Sequence, residues 1–301
     1  MRGRRFVVVF AAGLSACSLF VSLDSLSTSS AVDGGDNDAS PDGGSPSAND
    51  ANATPDTSFT APDGAPLSPY VLAVLADSPV GYWRLNETSG TNVRDEIGDA
   101  HPGKLVGTVK LGEKGIDGNA ASFDGNNSCI DVGPNFLFPA PAPFSVELWI
   151  SAVSYANSPY FVTTEINIPS GLRDGWSIGL QNSGQAYIEG WNSETDASVF
   201  ILGAYAQIGG GGPVVLNTWT QLDTTYDGNG VAEIWVDGVL RNHATEPGGI
   251  RNRGSLSFGC RGASTMAPIR PFTGLIDEIS IYDKVLTKDR ILAHKAARVV
   301  N

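Results

Sequence analysis

The sequence predicts an all-β fold, a two-sheet antiparallel sandwich or jelly roll with a short helix at either end. Three observations predict it. Short β-rich runs recur with turn residues between nearly all of them, and the chain holds 36 glycines in 301 residues while helical periodicity is sparse. Residues 219–238 read as a hairpin: two β-rich runs flank Asp227-Gly228-Asn229-Gly230, and Asp237-Gly238 closes the second run. Glycine at such positions supplies the positive φ that a tight hairpin needs. Residues 274–282 alternate apolar with polar side chains, the pattern of a strand with one buried face.

The chain divides before it reaches that fold. Arg2, Arg4 and Arg5 precede the apolar run 6–14, which is too short to span a bilayer as a helix. Basic residues followed by a short apolar core describe an export signal. The run ends in Leu14-Ser15-Ala16-Cys17, which resembles a bacterial lipobox. That resemblance implies cleavage before Cys17 and acylation of its thiol and new amino group, a stable membrane anchor. Ser18 at the next position, rather than aspartate, implies sorting to the outer membrane. The alternative is an ordinary secretory signal that happens to hold a cysteine.

Residues 18–65 are rich in Asp, Gly, Ser, Pro and Asn, with eight aspartates and no Lys or Arg. Such a stretch cannot bury enough apolar surface to offset its ordering entropy, so we expect a disordered acidic tether. Residues 66–301 remain for one β domain, with 16 Lys and Arg against 24 Asp and Glu, a formal charge of −8. An acidic surface of this kind argues against nucleic acid and anionic membranes as partners and leaves divalent cations and neutral glycans compatible.

Within 66–301 the expected elements follow in order. A short helix over 68–75 ends before Ser78-Pro79. Strands are expected at 81–85, 120–123, 128–132, 144–150, 161–166, 175–180, 186–190, 199–204, 219–226, 232–236, 255–259 and 272–282. A closing helix over 287–298 is capped by Thr287 and lays Ile291, Leu292 and Ala296 along one face. With Cys17 assigned to the anchor, Cys129 and Cys260 form an even remainder in an oxidising compartment, which suggests a disulfide; two separate buried thiols are the alternative.

Several short motifs occur in one register: Tyr82-Trp83-Arg84-Leu85, Val93-Arg94-Asp95, Gly103-Lys104-Leu105, Ala121-Ser122-Phe123-Asp124-Gly125 and Phe144-Ser145-Val146-Glu147-Leu148-Trp149. The Trp219 hairpin, Gly274-Leu275-Ile276-Asp277-Glu278 and the closing helix follow. Together they resemble a laminin G-like domain of the concanavalin A-like lectin/glucanase superfamily, from about residue 66 to 301. The resemblance implies two curved antiparallel sheets in a jelly roll, with Trp83 and Trp219 in the core. It also implies a structural calcium ion near Asp95 and Asp277. The competing reading gives Asp95 a turn to cap and Asp277 a hydrogen bond between sheet and helix.

Catalysis is not expected. A glucanase of this superfamily needs closely spaced carboxylates on one strand, and no Glu-x-Asp-x-x-Glu occurs. Glu189, Glu194 and Asp196 have the wrong spacing, and adjacent Asp277 and Glu278 should point to opposite faces of a strand. His101, His243 and His294 show no metal-ligand spacing. A sugar site is instead expected to stack aromatic rings beside carboxylates. Alternation sends Glu147 and Trp149 to the face opposite Phe144, Val146, Leu148 and Ile150; it sets Trp235 against Ile234 and Val236, and it groups Tyr187, Glu189 and Trp191. These six residues are the candidate ligand contacts, unless they close a second small core under long loops. The expected function is non-catalytic recognition of a glycan or an envelope or extracellular protein. A purely structural adhesion module is the alternative.

Overall fold

The computed structural model describes residues 66–134, 136, 142–167, 173–192, 197–203, 214–245, 250, 254–262 and 269–298. The export signal, Cys17 and the acidic segment 18–65 lie outside these residues, as do Glu194 and Asp196. The described chain runs α1 (Pro69–Ala76), β1 (Gly81–Trp83), β2 (Asn92–Val93), β3 (Gly103–Val106), β4 (Lys110–Lys114), β5 (Asn119–Asp124), β6 (Cys129–Gly133), β7 (Phe144–Ala152) and β8 (Tyr160–Thr163). It continues through β9 (Ile166–Asn167), β10 (Arg173–Leu180), β11 (Ala186–Asn192), β12 (Ala197–Gly203), β13 (Thr220–Tyr226), β14 (Val231–Val236), β15 (Val239–Thr245), β16 (Leu256–Phe258), β17 (Thr273–Tyr282) and α2 (Lys288–Ala297).

The strands form two antiparallel sheets. One has the order β15-β14-β13-β7-β17-β5-β4, with β1 also on β17; the other is β12-β11-β10-β8-β16-β6-β3-β2, with β9 on β10. Their inner faces meet in the main core. Phe144, Val146, Leu148 and Ile150 of β7 point inward as alternation requires, against Trp176 and Ile178 of β10 and Phe258 of β16. Burying each such side chain is worth about 1.5–3 kcal/mol. Trp83 belongs to this core. Trp219 does not: it is half-buried and packs on the helix side of β7, because it precedes β13 and is not held by that strand's inward alternation.

The expected hairpin is present. Asp227 Oδ1 accepts the amides of Asn229 and Val231, both at 2.8 Å, while Gly228 and Gly230 take φ of 79° and 114°. The second Asp-Gly makes a second hairpin, with Asp237 and Gly238 both at positive φ, and leads into β15, a half-exposed strand with no buried face to mark it in the sequence. Cys129 and Cys260 form the expected disulfide, with Cα atoms 5.5 Å apart, joining β6 to the bend that follows β16.

Both helices dock on the outer face of the eight-stranded sheet. Ser68 Oγ accepts the Val71 amide at 3.2 Å and Thr287 Oγ1 that of Arg290 at 3.4 Å, each capping its helix as expected. The buried face of α2 is Ile291 and His294; Leu292 and Ala296 face solvent. The reason is that the seat is polar. Glu147 of β7 accepts from Tyr70 Oη (2.7 Å), Gln221 Nε2 (3.1 Å) and His294 Nδ1 (2.6 Å), while His294 Nε2 lies 2.7 Å from Asp77 Oδ2 at the end of α1.

A neutral imidazole has one N–H, so a carboxylate on each nitrogen calls for imidazolium. Burial alone would lower the His294 pKa, but Glu147 and then Asp77 outweigh it and raise it. The stabilisation is therefore complete below about pH 6.5 and is lost as pH rises through the raised folded value. Buried Asp223 acts in the same direction, since burial and then Glu147 raise its carboxyl pKa. The domain should be less stable at about pH 9 than at about pH 6, and His294→Gln should lessen that difference, leaving the share of Asp223 and of Glu278, whose pKa burial raises to about 8, and cost about 3–5 kcal/mol. Denaturant titrations at both pH values check this; an unchanged slope in the variant would show that the histidine is neutral. Reducing the disulfide, whose cysteines lie 131 residues apart, should cost about 5 kcal/mol by the same assay.

Candidate functional site

The helices decide which sheet can meet a ligand. Trp149 is fully buried beneath them, its Nε1 donating to Tyr70 Oη at 3.1 Å and its ring stacked 4.7 Å from the Arg298 guanidinium. Glu147 is spent on His294, Tyr70 and Gln221. Trp235 is packed with Tyr282, Leu286 and Ile291 under α2. Alternation placed all three correctly on the outer side, but the outer side of this sheet is a second core. They are not available as ligand contacts.

Asp95 and Asp277 also serve the fold. Asp95 Oδ1 accepts the amides of Tyr82 and Ile97, each at 3.0 Å, and Oδ2 accepts from His101 N (3.2 Å) and faces His101 Nδ1 (3.1 Å). These donors point their positive ends where a cation would sit. Asp277 Oδ2 accepts the Ile116 amide at 2.7 Å and so ties the β4–β5 loop to β17. Burial, with the neighbouring Glu278 charge adding, pushes its carboxyl pKa up. Among the described residues no three His, Cys, Asp or Glu side chains gather as a metal site. Asp95 is thus already filled by hydrogen-bond donors, while Asp277 Oδ1 is buried without a hydrogen-bond partner among the described residues.

Asp277 and Glu278 share the helix side rather than opposing one another. A bulge shifts the register between Asp277 and Ser280, and Glu278 sits at φ 50°, so the extra residue turns its carboxylate toward Tyr82 Oη and Arg84 Nε.

The third expected group stands on the other sheet. Tyr187, Glu189 and Trp191 share the outer face of β11, opposite Gly179, Ser177 and Gly175 of β10. These small partners leave room for the large side chains. Gly175, at φ 104°, is required by the backbone: a Cβ there would lie 2.4 Å from the Thr164 carbonyl.

Around the trio gather residues from four other segments. Glu165 accepts from Arg261, from Arg173 Nη1 (3.2 Å) and from Ser177 Oγ (3.0 Å). The Tyr160 hydroxyl lies 3.2 Å from Glu165 Oε2 and also bonds Glu189 Oε1. The Arg173 guanidinium lies 4.5 Å over the Trp191 ring, and Arg270 lies 5.1 Å over Tyr160 while donating to Tyr187 Oη at 3.2 Å. One phenol proton cannot serve two carboxylates, so a proton on Glu189 completes the set. Burial pushes the Glu189 pKa up in agreement, with the Glu165 charge assisting and the Tyr160 hydrogen bond opposing.

The cluster has two levels. Tyr160, Glu165, Tyr187, Glu189 and Arg261 are buried; Trp191, Arg173 and Arg270 are partly exposed and meet solvent. Tyr160, Glu165, Arg173, Arg261 and Arg270 were not foreseen. Only Arg173 carried a signal, standing two and four residues before Gly175 and Ser177 on the same face.

Residues 124–292, more than half of the chain, match the laminin G-type model of the concanavalin A-like lectin/glucanases superfamily. No curated protein matches the sequence. Among solved structures, domain 4 of AbnA, a GH43 extracellular arabinanase from Geobacillus stearothermophilus determined in complex with arabinotriose, aligns at 19% identity and a TM-score of 0.52. The alignment covers 73% of this chain and 98% of that domain. The binding domain of Paraclostridial Mosquitocidal Protein 1 aligns at 16% identity and 0.55, over 72% of this chain and 51% of that one. The botulinum neurotoxin serotype G binding domain aligns at 13% and 0.53, over 73% and 51%. This chain thus spans about half of those toxin domains, and at such identities the likeness is one of fold. With its two-sheet sandwich, its bracketing helices and the match over 124–292, the chain belongs to the concanavalin A-like lectin/glucanases superfamily.

Proposed function

We propose that this is a non-catalytic recognition domain of a bacterial cell envelope, tethered to the outer membrane through Cys17, that takes a carbohydrate on the outer face of its nine-stranded sheet. The observation that carries this reading is the asymmetry between the sheets. Helices cover the outer face of one, while the other bears an indole and two guanidiniums at its surface above a buried hydrogen-bonded layer. A flat ring flanked by fixed polar groups suits a sugar, whose apolar face stacks and whose hydroxyls need donors and acceptors. Solved relatives of this fold include an arabinanase domain in complex with arabinotriose and toxin binding domains, which supports recognition by analogy of fold.

One observation favours a second reading, a glycoside hydrolase: Glu165 and Glu189 both reach the Tyr160 hydroxyl, so two carboxyl groups stand close together. Against it, Glu165 is bound by two guanidiniums and a hydroxyl, and both carboxyls are buried beneath the exposed layer. A protein ligand on the same face is the remaining alternative.

Trp191→Ala should weaken glycan binding by about tenfold or more, whereas Trp149→Phe, under the helices, should leave it unchanged. A glycan array followed by calorimetry checks both, and equal loss in the two variants would sink this face as the site. Chelation should leave binding and melting temperature unchanged; a rise of several degrees on adding calcium would restore Asp277 as a ligand. Cys17→Ala should move the protein from the membrane to the soluble fraction, and continued membrane association would refute the anchor.

A further inference from the structure

The charge on the proposed face runs against the charge of the domain. Residues 66–301 hold 24 acidic against 16 basic side chains. Yet three guanidiniums, Arg173, Arg261 and Arg270, converge on one cluster around two carboxyl groups. Glu165 takes both Arg173 and Arg261, one acceptor between two cations. Burial holds Glu189 toward its neutral form. Among the described residues of this face, positive charge is therefore in excess at neutral pH.

That excess sits where solvent reaches it. Arg261 is buried against Glu165, but the Arg173 side chain is 34% exposed and Arg270 is half-buried. Both are fixed before any ligand arrives. Arg173 is stacked on Trp191 and anchored through Nη1; Arg270 is stacked on Tyr160 and anchored through Nη1. A guanidinium has five N–H donors in a rigid fork, so one anchored through a single nitrogen keeps donors for a planar oxyanion. Ordering these side chains in advance removes much of the entropy cost of binding. Neutralising Glu165 would need one guanidinium, and the cluster supplies more.

Resting on the carbohydrate reading above, we propose that the glycan is acidic, that Arg173 and Arg270 each offer a guanidinium to its carboxylates, and that Trp191 lies beside a sugar ring. The sugar class is thus one bearing uronate or another carboxylated residue. A neutral pentose or hexose chain would leave the surface guanidiniums without a counter-charge, and a sulfate ester is the competing anion that the test separates.

The test uses the full chain in detergent, against an array holding carboxylated, sulfated and neutral oligosaccharides, with an Asp/Glu-rich peptide beside them. Binding is expected for carboxylated members, lost when their carboxyls are methyl-esterified, and reduced by about tenfold in each of Arg173→Gln and Arg270→Gln. It should also weaken as ionic strength rises from about 0.05 to about 0.5 M. Arg270→Lys should recover part of the affinity, and unchanged melting curves would show that the variants remain folded. Binding to neutral sugars that survives esterification and both variants would overturn this inference and leave the carbohydrate reading standing. Binding confined to sulfated members would overturn it likewise. No glycan bound by the folded protein would overturn both, and capture of the peptide alone would assign the face to a protein ligand.

Discussion

The structure depends on the double burial of β7. Every residue from Phe144 to Ala152 is buried, although only alternate ones face the other sheet. The strand lies between β13 and β17 near the middle of its sheet, so its outward side chains cannot reach water sideways. Glu147 and Trp149 among them must be covered and must find partners, because an unpaired buried carboxylate costs several kcal/mol. The two helices meet that demand. They bring Tyr70, Asp77 and His294 over the sheet, and they turn what would be a polar surface into a hydrogen-bonded second core. The outer face that the helices leave uncovered is that of the opposite sheet.

The two outer faces solve related problems with different ions. Over β7 an imidazolium joins two carboxylates from different elements. On the nine-stranded sheet a carboxylate joins two guanidiniums, and a tyrosine hydroxyl passes the contact to a second carboxyl. The first arrangement is nearly closed, with Glu147 and His294 fully buried and only Asp77 at its margin. The second ends in stacked arginines at the surface. That difference separates a structural polar core from a surface able to bind.

Much of this was legible in the residues. Strands with a clear period of two, such as β7, β10 and β17, could be read directly, and so could both helix caps. The unread strands were β2, β3, β4 and β15, which are short or lie at sheet edges. β4 is Lys-Leu-Gly-Glu-Lys and almost wholly exposed, so no apolar period marks it. β15 is half-exposed along its length, although the Asp237-Gly238 turn before it announces a returning strand. Alternation also told which side chains point out of a sheet, but not whether anything covers that side. Trp149 and Trp191 look alike in the sequence and differ only through the packing of two distant helices. The arginine cluster was illegible for a related reason: its members come from β10 and from residues 261 and 270, which only the pairing of β8 with β10 and β16 brings together.

The seat of His294 also has a mechanical meaning. It clasps the first described helix to the last: Asp77 ends α1, His294 and Arg290 belong to α2, and Arg290 Nε adds a 2.7 Å contact to the same Asp77 oxygen. A pull on the chain ahead of Pro69 is borne first by α1 and then by these ionic contacts to α2 and β7. The β-ladders lie behind that clasp. Along the chain, a pull from the N-terminal side thus meets the helical lid and its ionic contacts before it meets β1 and the sheets.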